Sequence, residues 1–313
     1  MPLSDNTEIV DTAKGLVSTL QVAAGGKHAG FRPAHAHGHL LTGTFTPTPS
    51  ASTLSKAYHF NNPVPITVRF SSSTGFPDIP DTDPQSNPRG IAIRFHLPDK
   101  DGRRQHTDII AHSTAFFPTR TGAEFLEFLK RATTGGDVPG FLAEHPETVA
   151  FLQDPKPSPV SFATEKFFGV NAFKYIAADG TVTYIRNRVV PVAGVQVLSE
   201  EELASQSKTY LFDELSERLG SGSPIEFKLQ AQIADEGDVT DDATVHWPEE
   251  RKIVELGTVK VEKSLGEGES LKQQKRDIFD PIPRVEGVDV SGDPLLEDRA
   301  NVYLVSGRER RAA

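Results

Sequence analysis

Apolar and polar residues alternate in short runs separated by glycine, proline and aspartate, and that rhythm restricts the chain to a sheet of many short antiparallel strands. Ile66 to Ser71 (ITVRFS) and Gly90 to His96 (GIAIRFH) carry the period-two pattern. Gln105 to His112 (QHTDIIAH) returns after turn residues at Pro98 to Gly102, which predicts a hairpin over Gly90 to His112 with a loop longer than two residues. A second hairpin is expected from Ala172 to Ile176, through Ala178-Asp179-Gly180, to Thr181 to Val190. Ile225 to Ile233 and Lys252 to Val261 are further strands, the latter with a bulge at Gly257. The 25 glycines and 23 prolines are spread along the chain with no repeat, as expected of a closed or nearly closed antiparallel sheet.

Helical periodicity is confined to three places. Gly122 to Ala132 places Phe125, Leu126, Phe128 and Leu129 on one apolar stripe, and Ser199 to Leu219 reads as a second helix. Near the C-terminus, Asp293 is a good N-cap and Pro294 a good first helical residue. From there Leu295, Arg299 and Tyr303 fall at i, i+4 and i+8, on one face.

Charge narrows the function. With 33 Lys plus Arg against 43 Asp plus Glu, the net charge is −10, which argues against a nucleic-acid partner. No apolar run reaches the roughly 18 residues of a membrane span, and the start lacks a basic segment followed by an apolar one, so a cytoplasmic location is expected. Cysteine is absent and Met1 is the sole methionine, which excludes disulfides and thiolate metal sites. Sulfur side chains are the first that peroxides damage, so their scarcity suits a protein that handles oxidants.

Two constellations carry chemistry. In His35-Ala36-His37-Gly38-His39 a strand would point all three imidazoles to one face, a candidate non-haem metal site, whereas a break at Gly38 would make them diverge. Arg299 and Tyr303 form the second. A tyrosine hydroxyl, with a reference pKa of about 10, is a poor metal ligand until a cation one helical turn away favours the phenolate. Tyrosine ligation of haem iron is rare, and catalase is the known case.

The order of motifs then resembles one family. Arg32-Pro-Ala-His35-Ala-His-Gly38 with Gly43-Thr-Phe45 is similar to the distal motif of haem catalases, and Val68-Arg69-Phe70-Ser71 to their V-R-F-S strand. Asn87-Pro88-Arg89-Gly90 with Ile91 to Phe95, and Asp108 to Phe125 without a gap, resemble the following segments. Phe279-Asp280-Pro281, Gly287, Ser291 and Arg299-x-x-x-Tyr303 resemble the proximal region, in family order. The chain is much shorter than typical catalases, and resembles the small catalase-related haem proteins, which include peroxidases and fatty-acid hydroperoxide converting enzymes.

This resemblance implies an α+β fold, an antiparallel eight-stranded β-barrel with surrounding and C-terminal α-helices. Residues 1–313 would form a single haem-binding domain, with 1–30 as an N-terminal arm and 291–307 as the proximal helix. It implies haem b, with Tyr303 as axial iron ligand and Arg299 beside it. His35 would be the distal acid-base group, Ser71 its orienting partner, Arg32 and Arg69 propionate partners, and Phe125 a residue over the porphyrin. One of Arg308, Arg310 and Arg311 would be a third propionate partner, the choice staying open. The implied reaction is peroxidase turnover of hydrogen peroxide or an organic hydroperoxide through an oxyferryl intermediate, with a small organic electron donor. A homo-oligomer is left open. His112 stands where the family has its distal asparagine and Ala34 where it usually has valine. An imidazole there is bulkier than an amide and changes charge near its pKa, so weak, pH-dependent catalase activity is expected. Two other classes stay open: a fatty-acid hydroperoxide isomerase or lyase, allene oxide synthase-like, on the same haem scaffold, and the non-haem metal enzyme of His35, His37 and His39. A haem carrier without turnover is a further contrast.

Overall fold

The computed structural model describes residues 2–313. Ten strands occur among them: β1 (Gly38–Pro47), β2 (Val64–Ser71), β3 (Gly90–Lys100), β4 (Arg103–His112), β5 (Phe167–Phe168), β6 (Phe173–Ile176), β7 (Val182–Pro191), β8 (Ile225–Ile233), β9 (Ile253–Ser264) and β10 (Val288–Val290). They pair in the order β10-β6-β7-β5-β4-β3-β2-β1-β9-β8, and an added β7–β8 pairing closes the ring. Closure leaves β6 and β10 as a flap on β7 and makes an eight-stranded antiparallel barrel of the remainder, the fold expected. Closure also removes free edges from the eight barrel strands.

Alternation along each strand decides what faces where. Val68, Phe70, Ile91, Ile93, Phe95, Phe167, Val189, Phe227 and Val259 point inward and are buried, forming the barrel's filling. The residues between them, Thr67, Arg69 and Ser71 on β2 and Ala92, Arg94 and His96 on β3, face outward. Gly257 marks a bulge: Leu229 pairs with Gly257 and Gln230 with Glu255, so Leu256 is the extra residue, one position from the expected place. A Cβ on Gly257 would lie 2.5 Å from the Thr46 carbonyl oxygen, which explains the glycine.

The β3–β4 loop differs from expectation. Lys100 pairs with Arg103 across Asp101-Gly102, a two-residue turn in which both residues are left-handed (φ 52° and 69°). The Pro98 region belongs instead to an irregularity between Leu97 and Lys100 within β3. Ser199 to Leu219 is likewise two helices, Glu200–Ala204 and Tyr210–Gly220.

Three helices build the other wall of the site. The helix Gly122–Thr134 starts in a capping box between Thr121 and Glu124 and ends at left-handed Gly135. The C-terminal helix spans Leu295–Ala312, starting and ending later than the 291–307 expected, with Pro294 rather than Asp293 at the N-cap position. Asp293, one residue earlier, still accepts the Leu295 amide at Oδ1, at 3.0 Å. Gly122 donates its amide to Asp298 Oδ2 at 2.8 Å, docking the first helix on the second; a Cβ on Gly122 would lie 2.7 Å from the Asp298 carboxyl carbon. The segment expected as an N-terminal arm carries a helix, Thr7–Ala23. It is tied to the C-terminal helix by Ser4 N–H to Asn301 Oδ1 and Gln21 Nε2 to Glu309 Oε2, both at 2.9 Å. No helix of the described residues is long and apolar enough to cross a membrane.

Candidate functional site

The outer face of β2, β3 and β4 presents the site as rungs. Ser71, Gly90 and His112 are register partners; Arg69, Ala92 and Ile110 form the next rung, and Thr67, Arg94 and Asp108 the one after. Ala92 and Ile110 stay only half-buried in the middle of this wall. The segment before β1 folds over the first rung. His35 is there in the left-handed region (φ 53°), a conformation costly for a residue with a Cβ, and its Nδ1 lies 3.1 Å from Ser71 Oγ. Gly90 permits this pairing, because a Cβ there would stand 2.7 Å from Ser71 Oγ and 3.0 Å from His35 Nδ1.

β1 begins only at Gly38, so the three histidines diverge. His37 stacks on Phe212 at 4.2 Å, and His39 Nε2 lies 2.6 Å from Ser264 Oγ. Among the described residues no group of three His, Cys, Asp or Glu side chains is arranged to hold a metal ion, so the His35/His37/His39 site is not formed. The left-handed turn at His35 is the physical reason.

Electrostatics distinguishes the two histidines of the first rung. Burial, reinforced by the charges of Arg69, Arg32 and Arg299, holds the His35 pKa down at about 4, so the ring is neutral at pH 7 and able to take a proton. Burial, with Arg299 and His35, holds His112 at about 3. His112 Nδ1 is 2.6 Å from Thr114 Oγ1. This corrects the expected titration of His112 near neutrality: the ring stays uncharged there, and what it changes relative to an amide is size.

Three arginines converge beside the second rung. Arg69 donates from Nε to Gln274 Oε1 (2.6 Å) and from Nη2 to the His35 carbonyl (2.7 Å). Gly38 makes room for its guanidinium, whose Nη2 and Cζ a Cβ there would overlap. Arg32 and Arg310 both donate to the Asp277 carbonyl, at 3.1 and 2.8 Å, and Arg310 also to Ser306 Oγ. Their partners are neutral: among the described residues none of the three is in an ion pair with a carboxylate. Burial lowers the pKa of Arg69 to about 9 and that of Arg310 to about 10, the Arg310 charge adding to the effect at Arg69; Arg32 is also lowered, by burial first and then by Arg69 and Arg310. Arg310 Nε is buried with no partner. Arg311 instead donates to the Arg276 carbonyl (2.9 Å from Nε) and, like Arg308, is exposed, so Arg310 is the buried one of the three C-terminal arginines.

The C-terminal helix supplies the remaining pole. Arg299 donates from Nε and Nη2 to the Tyr303 hydroxyl oxygen, at 3.3 and 3.2 Å. Its Nη1 donates to Asn171 Oδ1, and Asn171 Nδ2 donates to Asp293 Oδ2 at 2.7 Å. The chain Asp293–Asn171–Arg299–Tyr303 thus fixes the guanidinium from behind. Phe125 is half-buried and packs edge-on against Phe117, centroids 5.1 Å apart. Sequence reasoning missed Asn171, Gln274 and Thr114. It could have selected Arg310, which lies seven residues beyond Tyr303 and so on the same helical face.

A buried cluster of cations without carboxylates, beside a half-buried apolar rung and a phenol oxygen held by arginine, suits a flat apolar group with two anionic arms and a metal centre that accepts an oxygen ligand. The described residues therefore fit a haem.

Comparison with known proteins agrees. A family model described as Catalase matches residues 29–313. The catalase-related peroxidase of Mycolicibacterium paratuberculosis is 34% identical over 296 residues, covering 91% of each chain. That of Synechococcus elongatus is 29% identical over 297 residues, covering 91% of this chain and 85% of its own. Among solved structures, a bacterial catalase matches with a TM-score of 0.78 at 23% identity, over 91% of this chain and 58% of its own. A fungal catalase gives the same TM-score at 21% identity, over 92% and 61%. The chain therefore spans about three fifths of those two catalases, and their likeness supports the fold.

Proposed function

The chain belongs to the catalase family, an enzyme acting on peroxide, and from that premise we propose that it is a haem-dependent peroxidase with weak catalase activity. The observation that carries the reading is the arginine-held Tyr303 oxygen on the C-terminal helix, with the His35–Ser71 pair on the facing barrel wall.

Arg32, Arg69 and Arg310 would hold the propionates of a haem, each through charge-assisted hydrogen bonds that offset the present crowding of like charge. Tyr303 would hold the iron, its oxygen oriented by Arg299, and Phe125 would pack near the ring. When bound, haem b supplies a ferric centre that takes oxidising equivalents from a peroxide and passes them to a donor.

The chain's own residues handle the proton. His35, neutral because it is buried among arginines, accepts the proton of the peroxide's first oxygen at Nε2 and returns it to the second oxygen, so that water can leave. Ser71 holds Nδ1 and fixes the ring plane. His112, neutral and tethered by Thr114, fills the space beside His35 with a ring where an amide is usual in the family. That bulk handicaps the placement of a second peroxide, whereas oxidation of a small organic donor requires only one.

The test is the fate of peroxide. With haem-loaded protein, hydrogen peroxide and a phenolic donor, oxygen release and donor oxidation are followed together. Donor oxidation exceeding oxygen release supports the reading; vigorous oxygen release with little donor turnover makes the protein a catalase. Conversion of a lipid hydroperoxide without any donor makes it an isomerase or lyase.

A further inference from the structure

Two rungs beyond Arg69 on the same outer face, His96 of β3 and His106 of β4 are register partners. The neighbouring rung shows how closely such partners meet here. Arg94 donates from Nε and Nη2 to the two carboxylate oxygens of Asp108, each at 2.8 Å. Two residues further along each strand the side chains return to that face, so the two imidazoles project from directly opposed positions of adjacent strands. Both are exposed. His96 Nε2 is 2.8 Å from Thr67 Oγ1, which fixes the ring and leaves Nδ1 available, while the ring of His106 has no hydrogen-bond partner among the described residues. An imidazole oriented through its second nitrogen is the usual arrangement of a metal ligand.

Arg94 lies one rung away, and its charge is paired with the carboxylates of Asp108 at 2.8 Å and Asp277 at 3.7 Å.

We propose that His96 and His106 form a two-histidine site for a divalent transition-metal ion of the Zn2+, Ni2+ or Cu2+ class, water completing the coordination. Its occupant clamps β3 to β4, the strands that carry Ala92, Ile110 and His112. The site is separate from the haem-binding residues and does not depend on the proposed reaction. With two protein ligands it is an exchangeable site, and Mg2+, which prefers oxygen, is not accepted.

The test is calorimetric titration of the full chain with NiCl2 and, separately, MgCl2, on the wild type, His96→Ala, His106→Ala, the double variant and a control, His246→Ala, at another exposed histidine. The wild type and the control should bind one Ni2+ and no Mg2+. Each single substitution should weaken Ni2+ about tenfold or more, and the double variant little further, since the two ligands act as a pair. Saturating Ni2+ should raise the thermal midpoint of the wild type and of neither single variant. Both positions are exposed, so circular dichroism should be unchanged. Absence of saturable Ni2+ binding by the wild type, or binding that survives both substitutions, would overturn the assignment.

Discussion

Replacing Gly90 with alanine tests how closely the His35–Ser71 pair depends on the barrel wall beneath it. Gly90 sits in β3 with no positive φ, so the backbone accepts alanine, and the effect is confined to the added methyl. That carbon would stand 2.7 Å from Ser71 Oγ, 3.0 Å from His35 Nδ1 and 3.1 Å from His35 Cε1, where ordinary contact begins at 3.4 Å. Subtraction gives displacements of about 0.7 Å for the serine oxygen and 0.3 to 0.4 Å for the imidazole. A misplacement of about 1 Å costs roughly a hundredfold in rate, so shifts of this size should lower kcat/KM for peroxide about tenfold, or about 1.4 kcal/mol. The neighbours are side-chain ends rather than backbone, so overpacking should cost no more than about 1 to 3 kcal/mol of stability. Stopped-flow reaction of the haem-loaded variant with peroxide, alongside its thermal midpoint, separates the two effects. A folded Gly90→Ala protein with the wild-type rate would refute the claim that His35 works through its position on this rung.

Three further outcomes follow from the charges. His35, His59 and His112 have folded pKa values of about 4, 3 and 3, below the ordinary 6.5, so the unfolded chain binds more protons between those limits. Their contribution to stability is therefore present above pH 6.5 and is lost as pH falls toward 3; calorimetry should show the thermal midpoint dropping over that window. His59 is buried among Phe45, Phe60 and Phe95 with Nδ1 unpaired, so His59→Phe should narrow the drop, and an unchanged slope would count against burial as the cause. Arg310→Met should raise the stability of the haem-free protein by relieving repulsion, yet accelerate haem loss roughly tenfold to a hundredfold, the worth of a charge-assisted hydrogen bond, measured by transfer to an acceptor protein. His112→Asn should increase oxygen released per peroxide with no change in its pH profile between 5 and 8; unaltered oxygen release would remove His112 from the explanation of weak catalase activity.

How much of this was legible in the chain varies with sequence distance. Strands β2, β4 and β8 follow from period-two alternation, because one face of each packs into the barrel. Pro98 obscures the Asp101-Gly102 turn in the sequence, although aspartate-glycine is the stronger hairpin signal. Strand β5, only Phe167–Phe168, is too short for any periodicity, yet its pairing with His112 and β7 joins β4 to β7 in the barrel. The motif residues His35, Ser71, Arg69, Arg299 and Tyr303 could be marked in advance. Their supports could not: Gln274 reaches Arg69 from 205 residues away and Asn171 reaches Arg299 across 128, separations with no local pattern. His112 shows the same limit, since the burial that keeps it neutral is a property of the packed site.

The most direct test of the account is a ferric haem titration of the purified chain, wild type against Tyr303→Phe, read by absorption and electron paramagnetic resonance. The account predicts one haem per chain with a phenolate-ligated ferric spectrum in the wild type, and loss of that signature in Tyr303→Phe while the variant remains folded. A wild type that binds no haem, or a variant whose spectrum is indistinguishable from it, would contradict the assignment of Tyr303 and the function built on it.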